Sequence, residues 1–414
     1  MEFLNVFVRN QFVGRLGWDG YKLSFTYDKE YLNNESALPV SVSLPLSHKC
    51  DENAVQSFFD GLLPDENLRK RLANYIHISE ENTFGLLKEM GAECAGAISV
   101  LPDGETPNAP HKPVFEELSE DRAYELLSNL RRIPLGVDFS GNFRVSGSGA
   151  QDKVMAHIDG NKVSLPIKGT PSTHIIKPQI EDFPNSQFNE FFCMKLAQKM
   201  GLNAAEVSLL KIKDKTFFVT KRYDRIKDVK GNIIRLHQED FCQALGFSPK
   251  IKYENEGGPS IQDCFNCVKK YSDRTGHDSL AFLEAILFNF FVGNGDAHGK
   301  NFSLLYENDK IILAPLYDIM SSIAMRDFAR KEKMAMRIDK EYLFEHIFIK
   351  KFENLAKSMD LKADIFKDII SKRFLNITQK SRELAEELNK NPQTASPIYE
   401  KIIKVIQNNF EQLS

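Results

Sequence analysis

Three side chains in the second half of the sequence have the types and the order needed for metal-assisted proton transfer. Asp296 and Asn301 lie five positions apart in the polar loop GNGDAHGKN, which follows an apolar run and precedes FSLLY. Asp318 comes later, behind the apolar segment ILAPLY. A carboxylate can accept a proton, and carboxylate and amide oxygens are ligands that Mg²⁺ prefers. The pattern predicts a catalytic base, Asp296, and two magnesium ligands, Asn301 and Asp318.

This spacing is typical of phosphoryl transfer. Protein kinases carry a catalytic Asp and a metal-binding Asn five positions apart, with a second metal-binding Asp further along the chain. The alternative is that Asp and Asn occur here only because they suit turns. Both loops occur in this order, each after an apolar segment, which favours the catalytic interpretation.

Two upstream segments could hold the phosphates of a nucleotide. A kinase needs a lysine on a strand, and Lys177 ends the β-branched run THIIK, although an edge charge is the plainer interpretation of that position. Before it, RVSGSGAQDKV contains Gly147 and Gly149, whose backbone amides can approach anionic oxygens, with Lys153 close behind. A flexible surface turn is the alternative for this glycine-rich segment.

The elements around these residues indicate an α+β chain with several parts. At about 150 residues per domain, 414 residues allow two to three domains. We expect a small hairpin-led domain over residues 1–101 and a linker over 102–114, where four prolines and an Asp-Gly pair occur. An α+β lobe with the phosphate-side loop and the ATP lysine follows over 115–240. A mostly helical lobe with the catalytic and metal-binding loops completes the chain over 241–414.

Hydrophobic periodicity supports this division. VFV and FVGRL flank Arg9-Asn10-Gln11 as in a hairpin, and FNEFFCMKLAQKMGL has the apolar spacing of a helix capped near Gly201. VSLLKI and TFFVTKRYD indicate a second hairpin. Beyond residue 240 we expect helices in SLAFLEAILFNFF, in several segments between 341 and 390, and in YEKIIKVIQNNF.

The composition excludes several classes of protein. Lys and Arg number 54 against 57 Asp and Glu, so the net charge of −3 gives no argument for direct nucleic-acid binding. The most apolar segment, 280–293, is interrupted by Glu284 and Asn289 and is shorter than the ~20 residues of a membrane span. MEFLNVFVRN has no apolar core of signal-peptide length, so we expect a cytoplasmic protein. The six cysteines, including the pair Cys264 and Cys267, fit buried thiols better than a zinc site.

Six motifs resemble, in the same order, those of the HipA family, which are bacterial serine/threonine kinase toxins of type II toxin–antitoxin modules. They are SGAQDK, HIIKP, KRYDR, HQEDFCQALG, GDAHGKN and PLYDI, and they lie within residues 144–320. The hairpin-led opening is similar to the family's small N-terminal domain, so the resemblance covers essentially the whole chain. It implies a bilobal protein-kinase-like fold of the α+β class that uses ATP and Mg²⁺.

The resemblance implies a role for each matching residue. Asp296 would be the base, Asn301 and Asp318 would bind Mg²⁺, and Lys177 would hold the nucleotide phosphates. The other ATP contacts implied are the phosphate-side loop Ser148, Gly149, Ala150, Gln151, Asp152 and Lys153, the adenine-side segment Glu239, Asp240 and Phe241, and the residues His298, Tyr317 and Asp318. The plainer alternatives are a helix start at HQEDF, a hydrogen-bonded loop histidine at 298 and a buried aromatic at 317.

The phosphate-side loop departs from the family pattern at two positions. The family usually has Ala where this chain has Ser148, and Glu where it has Asp152. Ser146 matches the serine that the family autophosphorylates, but Ser148 places a second hydroxyl two residues away. The resemblance implies autophosphorylation of Ser146, with Ser148 as the alternative.

The resemblance also implies a function and partners. It implies an ATP- and Mg²⁺-dependent kinase that phosphorylates a protein on serine or threonine, with an aminoacyl-tRNA synthetase as the family's target. A small helix-turn-helix antitoxin of the HipB type would restrain it, and operator DNA would be reached mainly through that antitoxin. Two alternatives stay open: a catalytically silent nucleotide-binding corepressor scaffold, and a small-molecule kinase that uses the same residues.

Overall fold

The computed structural model describes residues 1–47, 49–107, 112–132, 148–326 and 331–413. The chain forms two compact units, and each is assembled from three separate stretches. The first unit comprises Met1–Pro178, Lys221–Ile251 and Ser303–Ile311. The second comprises Gln179–Thr220, Lys252–Phe302 and Ile312–Ser414.

The strands of the described chain lie between Glu2 and Leu343. Up to residue 178 they are β1 Glu2–Val8, β2 Gln11–Trp18, β3 Leu23–Tyr27, β4 Ile98–Pro102, β5 Phe115–Glu117, β6 Val154–Asp159, β7 Lys162–Pro166 and β8 His174–Lys177. The later strands are β9 Val207–Ile212, β10 Lys215–Lys221, β11 Arg225–Lys227, β12 Ile233–Arg235, β13 His237–Asp240, β14 Ser303–Glu307, β15 Lys310–Leu313, β16 Lys333–Ile338 and β17 Glu341–Leu343.

Helices of four to eighteen residues occur along the described chain. The first are α1 Lys29–Leu32, α2 Glu52–Gly61, α3 Glu66–Tyr75, α4 Thr83–Met90, α5 Glu120–Ser128, α6 Ser186–Lys199 and α7 Phe241–Leu245. The later ones are α8 Ile261–Tyr271, α9 Thr275–Val292, α10 Ser322–Met325, α11 Ile349–Ser358, α12 Ile365–Ile369, α13 Ile377–Asn389 and α14 Ile398–Leu413, with a π-helical turn over Ile370–Phe374. No helix in the described part of the chain is both long and apolar enough to cross a bilayer.

The first unit begins with an antiparallel sheet in the order β3-β2-β1-β4. Arg9 and Asn10 form the two-residue turn between β1 and β2 with φ angles of 50° and 67°, the left-handed pair that a tight hairpin turn requires. Val6 of β1 and Phe25 of β3 pack in one hydrophobic core with Phe59 of α2. The predicted hairpin is therefore confirmed.

The second unit is built around α9. Every residue from 282 to 292 in this helix is buried, because α8 and α14 pack against it. A helix that is apolar on all sides is stable only inside a core. The Asn409 side chain of α14 donates to the Phe290 carbonyl at 2.8 Å, so α14 is also tied to α9 by a hydrogen bond. The predictions for α6, α9 and α14 are confirmed.

The helices predicted between residues 341 and 390 are confirmed as α11, α12 and α13, and a strand hairpin precedes them. Residues 341–343 form β17, which pairs with β16 in an antiparallel hairpin, and helix begins only at Ile349. In β16, Met334, Ala335, Met336 and Ile338 are buried, whereas Lys333 and Arg337 are exposed. Methionine and alanine favour helices in isolation, so tertiary packing overrides local propensity here.

A buried cluster of charges surrounds the KRYDR motif in the first unit. Arg222 and Arg225 each lie 2.8 Å from an oxygen of Asp224, and Arg225 also lies 3.1 Å from Glu93. Arg235 donates from the same side of the cluster to backbone carbonyls of residues 94–98. The side chains of Arg222, Asp224 and Arg225 are at most 6% exposed, so the cluster joins residues 93–99 to residues 222–235 in the interior.

Burial and pairing oppose each other in this cluster. Burial alone would raise the pKa of Asp224, but Arg222 and Arg225 hold that pKa well below its ordinary value. Burial and the neighbouring Arg222 lower the pKa of Arg225 to about 10. Each charge is therefore tolerated only because its partner is present.

Replacement of Asp224 by Asn should lower the free energy of unfolding by about 3–5 kcal/mol, because two buried arginines lose the nearer of their carboxylate partners. The measurement is chemical denaturation of both proteins. The matched control is Asp103→Asn, which removes the partner of Arg15 in an exposed ion pair of 3.8 Å and should change stability by less than about 0.5 kcal/mol. Equal losses for the two variants would contradict this role of the cluster.

Candidate active site

The predicted catalytic loop, residues 293–301, begins where α9 ends. Gly293 has a φ of 69° and terminates the helix, and a Cβ atom at this position would lie 2.7 Å from Val405 Cγ1. The backbone N–H of Asn294 donates to the Asn289 carbonyl at 2.9 Å, which closes the turn. Only glycine combines this backbone conformation with this close approach.

A chain of amide side chains leads from the helix to Asp296. Asn294 Nδ2 donates to Asn289 Oδ1 at 2.7 Å, and Asn294 Oδ1 accepts the backbone N–H of Asp296 at 3.0 Å. On the other side, Asn301 Nδ2 donates to the Asp296 carbonyl at 2.9 Å. The backbone of Asp296 is therefore held from both directions.

The side chain of Asp296 has two neighbours. Tyr253 donates its hydroxyl proton to Oδ1, and His298 Nε2 lies 3.8 Å from the same oxygen. The Asp296 side chain is 51% exposed, whereas that of His298 is 6% exposed. An accessible carboxylate beside buried polar groups is the arrangement expected of a general base.

His298 lies among the charged residues of both predicted loops. Burial lowers its pKa, Asp296 and Asp318 act in the opposite direction, and Lys252 and Lys300 reinforce the lowering of the pKa. Its Nδ1 is buried and has no hydrogen-bond partner among the described residues. The structure therefore brings Asp296, His298 and Asp318 into one neighbourhood of the second unit.

The two predicted magnesium ligands are compatible with a hard cation. The amide nitrogen of Asn301 is used by the Asp296 carbonyl, so its oxygen is the atom left for a metal. Asp318 follows β15 with a φ of 58°, and the hydroxyl of the preceding Tyr317 donates to the Lys300 carbonyl at 2.7 Å. Among the described residues, no group of three or more His, Cys, Asp or Glu side chains is placed to hold a metal ion. The two predicted ligands would each supply an oxygen atom.

The phosphate-side loop lies in the first unit and folds around a lysine. Lys153 is 5% exposed and donates to the Ser148 carbonyl at 2.7 Å, while Asp152 pairs with Arg71 of α3 at 2.5 Å. Gly149 has a φ of 95°, and a Cβ there would lie 3.1 Å from Lys153 Nζ. Gln151 Nε2 donates to the Pro178 carbonyl at 3.2 Å, next to the end of β8.

Lys177 and the adenine-side segment also belong to the first unit. Lys177 is the last residue of β8 and is 7% exposed, so it is a buried lysine rather than a solvated edge charge. Asp240 caps α7 by accepting the Gln243 N–H at 2.9 Å, and Phe241 is fully buried. Both side chains of this segment therefore have structural roles, and their predicted nucleotide contacts stay predictions.

Glu239 is a buried carboxyl group within β13. It accepts hydrogen bonds from the hydroxyl of Ser41, from the backbone N–H of Val42 at 3.0 Å and from the hydroxyl of Tyr306 at 2.5 Å. Burial raises its pKa to about 7, although these hydrogen bonds act in the opposite direction. Its side chain is thus committed to the protein, and a nucleotide contact here would use the backbone.

The sequence-predicted residues fall into two groups. Asp296, His298, Asn301, Tyr317 and Asp318 lie in the second unit, whereas the phosphate-side loop, Lys177 and the adenine-side segment lie in the first. Ser146 lies outside the described residues.

Sequence analysis missed two residues near these groups: Tyr253, whose hydroxyl donates to Asp296, and Lys252, whose charge lowers the pKa of His298. Tyr253 and Lys252 lie in IKYENEGGP, a segment that looks like an ordinary polar turn. A tyrosine flanked by charged residues is the only local signal there, and it does not point to Asp296.

Comparison with known proteins now defines the class. The model of the HipA-like C-terminal domain matches residues 145–406, and that of the HipA N-terminal domain matches residues 4–101. A protein named putative kinase Y4mE from Sinorhizobium fredii is 38% identical over 388 residues, which cover 92% of this chain and 91% of that protein. The chain belongs to the HipA family.

Two further comparisons agree with this assignment. The serine/threonine-protein kinase toxin HipA of Shewanella oneidensis is 30% identical over 345 residues, covering 80% of this chain and 77% of that protein. The solved structure of HipA with HipB and operator DNA from Shewanella oneidensis superposes with a TM-score of 0.85 at 24% identity, covering 99% of this chain and 97% of that one. That similarity shows that the two proteins have the same fold, which confirms the predicted α+β kinase-like class.

The raised pKa of Glu239 predicts a change in stability with pH. The folded state binds more protons than the unfolded state between the ordinary value of 4.5 and about 7, so Glu239 destabilises the protein as the pH rises through this interval. Relative to the parent protein, Glu239→Gln should become more stable by about 3 kcal/mol between about pH 4.5 and about pH 8. The measurement is denaturant unfolding across this range.

The comparison with the parent protein removes a second contribution. Burial lowers the pKa of His237 to about 4, which changes stability in the opposite direction over part of the same interval. His237 is present in both proteins, so its contribution cancels in the difference. Parallel stability curves for the two proteins would contradict the buried, protonated carboxyl group.

Proposed function

We propose that this chain is an ATP- and Mg²⁺-dependent serine/threonine protein kinase that acts as the toxin of a toxin–antitoxin module. The observation that carries the proposal is the environment of Asp296, an accessible carboxylate whose backbone is fixed by two asparagines. The names of the relatives, a kinase toxin and a putative kinase, support the same activity.

Each residue has a chemical role in this proposal. Asp296 accepts the proton of the acceptor hydroxyl. Asn301 holds the Asp296 carbonyl, and its own side-chain oxygen would bind the metal. Bound Mg²⁺ would neutralise charge on the nucleotide phosphates, with Asn301 and Asp318 as its protein ligands. Lys177 and Lys153, both buried, supply positive charge for the phosphates. The adenine ring of ATP would contact the backbone of residues 239–241.

The acceptor proposed is a serine or threonine of an aminoacyl-tRNA synthetase, whose modification would inhibit translation. This part of the proposal rests on the family resemblance, because the residues around Asp296 act on a hydroxyl group whatever molecule carries it. Ser146 is the proposed site of autophosphorylation, and its place in a glycine-rich segment beside the phosphate-side loop supports that assignment.

Asp296→Asn should lower phosphoryl transfer by about 10²- to 10⁴-fold and leave nucleotide affinity unchanged, since it removes the base but none of the phosphate contacts.

Asp318→Asn should weaken Mg²⁺-dependent ATP binding by about tenfold or more, because a charged oxygen ligand is lost. The measurements are transfer from labelled ATP in a host lysate with phosphosite mapping, and calorimetry in magnesium buffer.

The control is Asp309→Asn, in the exposed turn between β14 and β15, where Asn also tolerates the φ of 59°. It should behave like the parent protein.

Transfer by Asp296→Asn at the parent rate would refute the proposed base. Label found only on a small molecule would favour the small-molecule kinase, and binding without transfer by the parent protein would favour the silent scaffold. Phosphate mapped only to residues other than Ser146 would refute that autophosphorylation site.

DNA association should depend on a partner. The solved relative was crystallised with HipB and operator DNA, and this chain has a net charge of −3, which argues against strong binding to phosphates by itself. We expect the purified chain to bind duplex DNA with a dissociation constant no tighter than about 10⁻⁶ M at physiological salt. With a basic helix-turn-helix antitoxin it should bind an operator at about 10⁻⁸ M or tighter. Tight, site-specific binding by the chain alone, in a gel-shift titration, would overturn the proposal.

A further inference from the structure

The catalytic loop fixes the backbone of Asp296 but not the direction of its carboxylate. Asn294 and Asn301 hold the N–H and the carbonyl of Asp296, and the side chain beyond them is half exposed. A short side chain with two rotatable bonds can turn its oxygens away from a substrate. A misplacement of 1 Å can lower a rate by about 10²-fold, so the direction of this carboxylate matters for catalysis.

The contacts on this carboxylate fall on one oxygen. The hydroxyl of Tyr253 donates to Oδ1, and His298 Nε2 lies 3.8 Å from Oδ1. Among the described residues, no side chain makes a hydrogen bond to Oδ2. One oxygen is therefore held by the protein, and the other is left for a substrate.

Tyr253 is itself held from three sides. Its ring packs edge-on against His298 with the centroids 5.1 Å apart and the planes at 84°. Its carbonyl accepts the backbone N–H groups of Glu256 at 3.0 Å and Gly258 at 2.9 Å. The next residue, Glu254, forms an ion pair with Arg337 of β16 at 2.8 Å and accepts the Arg337 N–H at 2.7 Å. These contacts fix the position of the Tyr253 hydroxyl.

The loop that carries Asp296 also contacts β16. A Cβ atom at Gly295 would lie 2.6 Å from the carbonyl oxygen of Lys333 in β16. β16 therefore contacts the residue before Asp296 and also anchors the residue after Tyr253. The relative position of the two side chains is set by one strand.

We propose that Tyr253 is a positioning residue for phosphoryl transfer, and this inference rests on the proposed kinase function. Its hydroxyl holds Oδ1 so that Oδ2 faces the acceptor hydroxyl. In the transfer step the acceptor O–H proton moves to Oδ2, the acceptor oxygen bonds to the γ-phosphorus, and the bond from that phosphorus to the bridging oxygen breaks with its electrons left on ADP. Tyr253 keeps its own proton throughout and stays bound to Oδ1.

The kinetic test uses Tyr253→Phe in the full chain, which keeps the ring and removes the hydroxyl. We expect kcat to fall by about 10- to 100-fold while the KM for ATP stays within about twofold, because the lost contact orients the base and binds no nucleotide. The control is Tyr342→Phe on β17. Burial raises the pKa of the Tyr342 hydroxyl, and the charges of Glu254 and Arg337 act on it in opposite directions, so this tyrosine lies near the same ion pair. It should change neither constant by more than about twofold.

Several kinetic outcomes would overturn the inference. An unchanged kcat for Tyr253→Phe, or an equal fall for the control, would remove the role from Tyr253. A rise in kcat would mean that the hydroxyl occupies the acceptor's place and inhibits the base. A parent protein without transfer activity would overturn the proposed function together with the catalytic part of this inference, whereas an active parent with an unaffected variant overturns the inference alone.

A second measurement does not depend on activity. Thermal unfolding of Tyr253→Phe, Asp296→Asn and the double variant forms a double-mutant cycle. Both single changes weaken the same hydrogen bond, so the double variant should lose less in Tm than the two single losses combined. The pair Tyr342→Phe and Asp296→Asn, which shares no contact, should be additive. Additive losses for Tyr253 and Asp296 would overturn the contact on which the inference rests.

Discussion

The burial of residues 282–292 of α9 on all sides is the constraint on which the predicted catalytic loop depends. A helix packed around its whole circumference cannot rotate or shift without opening cavities in a close-packed core. Its end is therefore a fixed point, and Gly293 turns the chain there in a conformation and a space that only glycine accepts. The amide side chains of Asn289 and Asn294 then carry this fixed geometry to the backbone of Asp296. A core of phenylalanines thus determines where a carboxylate lies.

Buried polar groups have a different effect in the first unit. The charges around Asp224 are desolvated, so each would be costly alone and is retained only with its partners. The carboxyl group of Glu239 likewise accepts hydrogen bonds from Ser41, Val42 and Tyr306. KRYDR and HQEDF therefore tie the N-terminal strands and loops to later parts of the chain. In both motifs, these side chains stabilise the fold.

Much of the fold could be predicted from local patterns. The hairpin at Arg9 and Asn10, the apolar α9 and the order of base, asparagine and second aspartate all depend on neighbours along the chain. The hairpin of β16 and β17 could not, because methionine and alanine prefer helix until packing imposes a strand. The roles given to Asp240 and Phe241 also needed the structure, since a capping side chain and a buried ring look the same in sequence as ligand contacts.

By itself the sequence determined which residues are chemically competent and which element carries each of them, because residue type and periodicity are properties of short segments. Tertiary structure alone decided that Tyr253 reaches Asp296 across 43 residues, and that Glu93 meets Arg225 across 132. It also decided that Lys177 is buried. Periodicity reports only that a side chain faces inward, whereas its partner depends on how every intervening element packs. Contacts between distant residues are a property of the whole core, and no local pattern contains them.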